Sequence, residues 1–177
     1  MTASKRESQE ICFVPDGDYA SVVERIRPHA SGLRGNFVDS AGEVLGQHKG
    51  VHRFTVGQRH GLGLNANRKL YVLKIKAKQQ EVVLGDVEEL DSTVARAEGV
   101  NWIAGTTPSE PVRARVLVRY RHAGSPATLI PEGGGRVRIE FDGPVRAVAP
   151  GQAAVFYDLE SVDDPEGERV LGGGWLA

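Results

Sequence analysis

The stretch PVRARVLVRYR, residues 111–121, carries the strongest structural signal in the chain, because its side chains alternate in polarity. One predicted face carries Val112, Ala114, Val116, Val118 and Tyr120, and the other carries Arg113, Arg115, Arg119 and Arg121. A period of two is the pattern of a β-strand with one buried face and one solvated face. The pattern predicts that Arg119 points outward. It also predicts that Tyr120 points inward, unless Tyr120 lies at the strand end.

Further short apolar runs follow this stretch, and turn residues separate them. The runs are RVRIEF (136–141), AAVFYD (153–158) and ERVLGGGWLA (168–177), with turns near 131–135, 142–144 and 150–151. Regular short strands divided by turns are typical of a closed antiparallel barrel or a β-sandwich. In the first run, Val137, Ile139 and Phe141 are predicted to face the core.

The N-terminal half has a different organisation. Asp18 can cap a short helix over residues 18–28, and two β-hairpins are predicted in residues 35–48 and 69–87. Within the second hairpin, Leu70, Val72 and Lys74 would alternate with Tyr71, Leu73 and Ile75. We therefore predict a mainly β protein with a little helix near the N-terminus. A small central β-rich domain, residues 1–90, would precede a C-terminal antiparallel β-domain, residues 91–177.

The charges are balanced overall but are distributed unevenly. The formal net charge is −1, yet residues 34–78 contain nine basic residues and only two acidic ones. Residues 113–121 contain four arginines and no acid. Separated basic segments can form a patch that attracts phosphates. A solvated surface without a partner is the alternative that charge alone favours.

The single cysteine, Cys12, can be read in two ways. Its flanking residues Ile11 and Phe13 favour a small buried side chain, whereas Lys5, Arg6 and the following helix favour a reactive thiolate. One cysteine excludes a disulfide framework within the chain. No apolar run is long enough to span a bilayer, and residues 1–10 are polar. These features predict a cytoplasmic protein with no membrane partner.

No complete catalytic motif is present in the sequence. His48 and His52 lack a carboxylate or thiol partner at metal-ligand spacing, so we predict no metal site. The glycine-rich stretches precede no helix, and no phosphate-binding loop or Gly-x-Ser-x-Gly motif occurs. We therefore predict that this chain alone neither binds ATP nor carries any cofactor.

The loop GQRHGLG, residues 57–63, is the best local candidate for binding nucleic acid. Arg59 and His60 can contact phosphates or stack on bases, and the glycines let a backbone approach closely. Arg119 and Tyr120 form a second candidate pair. A glycine-rich turn and a solvated strand face are the structural alternatives.

Taken together and in order, several motifs resemble one family over about residues 8–174. They are SQEICFVPDGDY, GEVLGQHKGVHRFTVGQRHGLG, YVLKI, RYR, IEFDGPVRAVAPGQAAVFYD and the final LGGG. They resemble the second half of the tRNA-specific 2-thiouridylases. The resemblance implies a C-terminal β-barrel similar to those of translation factors. It also implies that the family's N-terminal ATP-pyrophosphatase domain, with its ATP site and first catalytic cysteine, is absent from this sequence.

The resemblance implies a reaction and its residues. These enzymes replace the C2 oxygen of the wobble uridine, U34, by sulfur after ATP activates that oxygen. Cys12 would carry the sulfur as a persulfide, delivered by a sulfur-carrier protein, and could form a disulfide with the first cysteine. A covalent relay of this kind divides a difficult substitution into easier steps.

Three further residues acquire roles from the same resemblance: Arg119, Tyr120 and Gln152 would contact the anticodon region of tRNA. We infer in addition that Arg59 and His60, in the glycine-rich loop, face tRNA or the ATP domain. Two alternatives remain beside the sulfurtransferase. One is a non-enzymatic RNA-binding barrel, and the other is a structural or protein-interaction domain whose basic segments are incidental.

Overall fold

The structure is a computed structural model that describes residues 18–28, 33–120, 122–161 and 168–177. Its regular elements are α1 (Tyr19–Ile26), β1 (Gly35–Val38), β2 (Val44–His48), β3 (Tyr71–Lys76), β4 (Glu81–Gly85), β5 (Asp91–Trp102), β6 (Val112–Leu117), β7 (Ser125–Gly133), β8 (Arg136–Arg146), β9 (Ala153–Asp158) and β10 (Val170–Leu176). The predicted mainly β fold with a short N-terminal helix is confirmed. None of the helices within the described ranges is long and apolar enough to cross a membrane.

Helix α1 begins where the sequence predicts it. The Asp18 carboxylate accepts a hydrogen bond of 3.1 Å from the backbone N–H of Ser21, which satisfies a free helix donor. The helix ends two residues earlier than the predicted limit at 28. The Glu24 carboxylate fixes it to a single 3₁₀ turn, Val51–Arg53, by accepting bonds of 2.9 Å from His52 and 2.5 Å from Arg53.

The first half of the chain forms a four-stranded sheet in the order β2-β1-β4-β3. Both predicted hairpins are confirmed, since β1 pairs with β2 and β3 pairs with β4 in antiparallel fashion. The two hairpins join through a parallel pair, β1 with β4, that local patterns do not predict. Its register places Phe37 opposite Val82, and both side chains are completely buried.

One predicted alternation in this sheet is wrong. The register of β3 against β4 shifts between Val72 and Lys74, so the strict period of two is lost there. Leu70 and Val72 are both buried, but Lys74, which was grouped with them, is exposed, and Ile75 from the other set packs against the core. The bulge shifts the alternation of side chains in the second half of β3 by one residue, so that the Lys74 side chain stays in solvent.

The second half closes into a six-stranded antiparallel barrel in the order β10-β5-β8-β7-β6-β9. This resolves the choice between barrel and sandwich. The inward-facing predictions for Val137, Ile139 and Phe141 are confirmed, with exposures of 1%, 0% and 6%. The division at residues 90 and 91 stays a prediction, and β5 begins at Asp91.

Tyr120 does not face inward, because it lies at the strand end, which is the exception that the prediction for residues 111–121 stated. Strand β6 stops at Leu117, and Val118 is the last buried residue of the stretch. The chain then turns, because the backbone N–H of His122 bonds to the carbonyl of Arg119 at 3.2 Å. Tyr120 consequently lies at the strand end with 66% of its surface exposed.

The glycines of β10 allow this strand to fit between two neighbours. An added Cβ at Gly172 would lie 2.5 Å from the carbonyl oxygen of Asn101 in β5, and one at Gly173 would lie 2.7 Å from that of Ala154 in β9. Neither distance is compatible with a side chain. The pairing with β5 shifts register between Gly173 and Trp175.

Candidate nucleic-acid interface

The three residues assigned to tRNA by resemblance lie at one end of the barrel, which we call the rim. In the antiparallel β6–β9 pair, Leu117 lies opposite Val155. Arg119 and Tyr120 follow Leu117 by two and three residues, and Gln152 precedes Val155 by three. The fold therefore brings together two sites that are separated by more than thirty positions in the sequence.

Arg119 is anchored within the rim rather than extended freely into solvent. Its guanidinium donates a hydrogen bond of 2.6 Å to the backbone carbonyl of Arg146, at the end of β8. Arg146 is itself held by two bonds, of 2.9 and 3.1 Å, to the Asp91 carboxylate. The bonds from Arg146 lower the pKa of the Asp91 carboxyl below its usual value. Three strands are thus tied together around Arg119.

The loop that carries Gln152 is fixed through its backbone. The N–H of Gln152 bonds to the carbonyl of Ala149 at 3.2 Å, and its own carbonyl accepts the N–H of Leu176 at 2.8 Å. Gly151 adopts a φ of +84° and bonds back to Leu176 at 2.8 Å. The Gln152 side chain is exposed on this rigid support, so it is available to a ligand.

His122 supports the same corner, although sequence reasoning assigned it no role. Its Nδ1 lies 3.4 Å from the N–H of Val118, and its Nε2 lies 3.5 Å from the Ser125 hydroxyl. Burial lowers the pKa of the imidazole, and the charge of Arg119 lowers it further. The neutral ring can accept the backbone N–H that precedes Arg119. No local pattern in the sequence indicates this role.

The glycine-rich loop is held by the side chain of Gln58. Its Oε1 accepts the backbone N–H of Thr55 at 3.0 Å, and its Nε2 donates to the carbonyl of His60 at 2.9 Å. The backbone carbonyl of Gln58 accepts a hydrogen bond of 2.9 Å from the N–H of Val72 in β3. One glutamine therefore shapes both sides of the loop and attaches it to the sheet.

Arg59 and His60 are exposed at the edge of a cavity of about 290 Å³. Arg68 and Lys69 line the same cavity, and Arg68 forms an ion pair of 2.7 Å with Asp86. The cavity thus carries three cationic side chains and one carboxylate nearby. Such a balance suits an anionic ligand.

The loop and the rim are neighbours in space. An added Cβ at Gly57 would lie 3.0 Å from the Cβ of Ala147, in the loop that leads to Gln152. Gly57 has a φ of +87°, which side chains rarely adopt. Arg59 follows two residues later. The structure therefore places both predicted nucleic-acid candidates on adjoining surfaces, one from each half of the chain.

A larger cavity, of about 660 Å³, lies between α1 and the other side of the glycine-rich loop. Asp18 and Tyr19 line it at the start of the helix, and Lys49 and Arg53 contribute positive charge. Gly61, Leu62 and Gly63 form a wall that both cavities share. The chain that leads from Cys12 into the helix enters the described structure at this cavity.

Two predictions cannot be placed in the structure. Cys12 and Arg121 lie outside the described residues, so the predicted role of the cysteine stays a prediction. Within the described ranges, no three His, Cys, Asp or Glu side chains come close enough to hold a metal ion.

Comparison with known families agrees with this architecture. Residues 21–86 match the family described as tRNA methyl transferase PRC-barrel domain. Residues 92–176 match the family described as aminomethyltransferase beta-barrel domain. The two matches cover the small sheet and the closed barrel respectively.

Individual relatives extend over nearly the whole chain. The tRNA-specific 2-thiouridylase MnmA of Syntrophotalea carbinolica is 46% identical over 99% of this chain and 47% of its own length. The proteins of the same name from Paramagnetospirillum magneticum and Solibacter usitatus are each 45% identical over 98% of this chain, and over 44% and 47% of their own lengths. The chain spans about half the length of these curated relatives, and it belongs to the tRNA-specific 2-thiouridylase family.

Proposed function

We propose that this chain is the tRNA-binding and sulfur-carrying part of an enzyme that converts U34 of tRNA to 2-thiouridine. The observation that supports the proposal most is the convergence of Arg119, Tyr120 and Gln152 at one barrel rim, beside the glycine-rich loop. The names of the relatives supply the reaction, and the rim supplies a surface suited to its substrate.

The surface has the properties that a tRNA contact requires. Arg119 offers charge on an anchored guanidinium, Gln152 offers an exposed amide, and Tyr120 offers an exposed ring. Phosphate contacts position a nucleic acid, while amides and rings can read or stack on its bases. Arg59 and His60 would extend the contact along the backbone of the RNA.

Sulfur transfer would depend on Cys12. ATP, bound by the N-terminal domain of the family, would supply the adenylate that makes the C2 oxygen of U34 a leaving group. The terminal sulfur of the Cys12 persulfide would bond to C2 as AMP departs. The thiolate of the first cysteine would then attack the Sγ atom of Cys12 and break the sulfur–sulfur bond. The products are 2-thiouridine and a disulfide between the two cysteines.

The position of Cys12 in the chain fits this assignment. Cys12 precedes Asp18 by six residues, and Asp18 lines the cavity beside the glycine-rich loop. Six residues span at most about 20 Å, so the chain length keeps Cys12 within that distance of Asp18. A sulfur-carrier protein would renew the persulfide, and the enzyme would act in the cytoplasm.

The test joins this chain to the N-terminal ATP-pyrophosphatase domain of a relative and measures 2-thiouridine in an unmodified tRNA transcript. We expect thiolation to require both parts. The Cys12→Ser variant should lose thiolation while keeping its affinity for tRNA within about twofold, because the hydroxyl cannot carry sulfur. Full thiolation by Cys12→Ser would contradict the catalytic assignment.

A non-enzymatic RNA-binding barrel is the second candidate. One observation favours it: Arg59, His60 and Gln152 are exposed at the loop and the rim, and side chains of these types can bind nucleic acid without any chemistry at Cys12. This candidate predicts tRNA binding by the chain and no thiolation after the ATP domain is added. The same experiment therefore distinguishes the two functions.

A further inference from the structure

Trp175 is an exposed aromatic side chain in β10, and the residue that follows it is buried. The chain has two tryptophans, and Trp102 is 8% exposed whereas Trp175 is 61% exposed. Leu176, the next residue, is 3% exposed and faces the barrel core. Because successive side chains of a strand point to opposite faces, the indole lies on the outer wall of the barrel.

The indole borders a groove of about 300 Å³ on that wall. Gly99, Asn101 and the paired segments 153–155 and 173–175 line the groove. Trp175 lies opposite Ala153, and its Cδ1 would be 3.8 Å from a Cβ added at Gly99. Glycine and alanine have too few atoms to cover an indole. The volume is near the lower limit for sites that bind small organic groups, about 300 Å³.

The groove adjoins the rim. Ala153, the partner of Trp175, directly follows Gln152, and the N–H of Leu176 bonds to the Gln152 carbonyl. Tyr120 follows β6 on the other side of β9. Two exposed aromatic residues therefore flank Gln152 across three neighbouring strands, which are spaced about 4.8 Å apart.

We propose that Trp175 stacks on an unpaired base of the bound tRNA and that the groove holds this base. The inference rests on the proposed function, because it extends the same surface from the rim to the outer wall. A flat base fits a single indole above a floor of small residues. A stable protein interface would instead need about 800 Å² per partner, whereas this groove has a volume of only about 300 Å³ and a single large side chain, Trp175, at its border.

The first test uses the fluorescence of the 177-residue chain with an unmodified tRNA transcript as the probe. Because Trp102 is buried, iodide quenching reports mainly on Trp175. We expect tRNA to quench the emission and to protect it from iodide, and the Trp175→Phe variant to lose this response. Binding of tRNA without any change in the Trp175 signal would overturn the inference and leave the proposed function intact.

The second test measures affinity. Stacking contributes about 1–3 kcal/mol per base, so Trp175→Ala should weaken tRNA binding by roughly 5-fold to 150-fold. Trp175→Phe, which keeps a ring, should retain most of the affinity. Ile103→Ala is the matched control, since Ile103 is 66% exposed but follows β5 at the opposite end of the barrel.

The remaining outcomes are also decisive. Unchanged affinity in a folded Trp175→Ala variant would overturn the inference. Self-association of the chain that disappears in Trp175→Ala would identify a second copy as the occupant and would also overturn it. Failure of the unaltered chain to bind tRNA would instead count against the proposed function itself, and the inference would fall with it.

Discussion

The guanidinium of Arg119 and the backbone carbonyl of Arg146 are joined by a hydrogen bond of 2.6 Å that links the end of β6 to the end of β8. A guanidinium has five N–H donors, so this bond leaves others for a ligand. The bond also limits where the charge can lie. Arg119 therefore combines a fixed position with the capacity to bind an anion, which a mobile surface lysine would lack.

Replacing Arg119 by alanine should weaken tRNA binding and reduce its dependence on salt. Each lost phosphate contact lowers the slope of log K against log salt by about 0.9 for duplex and about 0.7 for single-stranded RNA. Filter binding at several salt concentrations measures this slope. Arg136→Ala is the matched control, because Arg136 begins β8 at the other end of the barrel. Equal slopes for both variants and the unaltered chain would assign Arg119 a purely structural role.

Replacing Gly57 by alanine should separate the glycine-rich loop from the rim. The added Cβ would lie 3.0 Å from the Cβ of Ala147, and the φ of +87° would add strain of roughly 1–2 kcal/mol. We expect a lower melting temperature and weaker tRNA binding. Gly63→Ala is a matched control, because Gly63 also has a positive φ, +69°, but has open space around it.

The comparison isolates the contact between the two halves of the chain. Both substitutions place an alanine at a positive φ and therefore introduce backbone strain, but only Gly57→Ala brings a Cβ close to Ala147. If the two variants lose tRNA affinity equally, the contact between loop and rim contributes nothing to binding. Melting curves recorded for both variants show whether the strain itself is similar.

Stability should decrease as the pH falls below the usual pKa of histidine. Burial lowers the pKa of His122 from 6.5, and burial also lowers that of His48. For each histidine, the pKa is lower in the folded state than in the unfolded state. Between these two values, the unfolded chain therefore binds more protons than the folded chain. The stabilisation is complete above about pH 6.5 and is lost as the pH falls through the folded-state value. Thermal unfolding from about pH 8 to about pH 5 measures this loss.

The His122→Gln variant should show a flatter pH profile over the same range. Glutamine can still accept a hydrogen bond near the N–H of Val118 but cannot be protonated. His60→Gln is the matched control, since His60 is exposed in the glycine-rich loop. A profile for His122→Gln that matches the unaltered chain would assign the pH dependence to other groups.

Local patterns in the sequence predicted most elements because each depends on near neighbours. Asp18 caps its helix within three residues, and both hairpins close over short turns. The alternation predicted for residues 136–141 is confirmed, and in that segment β8 is paired with β5 on one side and β7 on the other. Motif order, rather than any single residue, indicated the family.

Features that depend on distant partners were not predictable in this way. The parallel pairing of β1 with β4 joins residues 45 positions apart, and the bulge in β3 appears only against β4. The roles of Gln58 and His122 consist of hydrogen bonds to backbone groups, which leave no hydrophobic pattern. The alternation alone could not decide the orientation of Tyr120, because the pattern holds only as far as the strand continues.

The order of strands in the barrel has a consequence for how the chain reaches its native state. The first strand of the barrel, β5, pairs with the last, β10, and Ala97 meets Leu176 across 79 positions. Such non-local pairing is slow, because a long segment must be ordered before the contact forms. Until it forms, β5 and β10 present unpaired edges that can associate with other molecules. We therefore expect aggregation during refolding to depend on how quickly this seam closes.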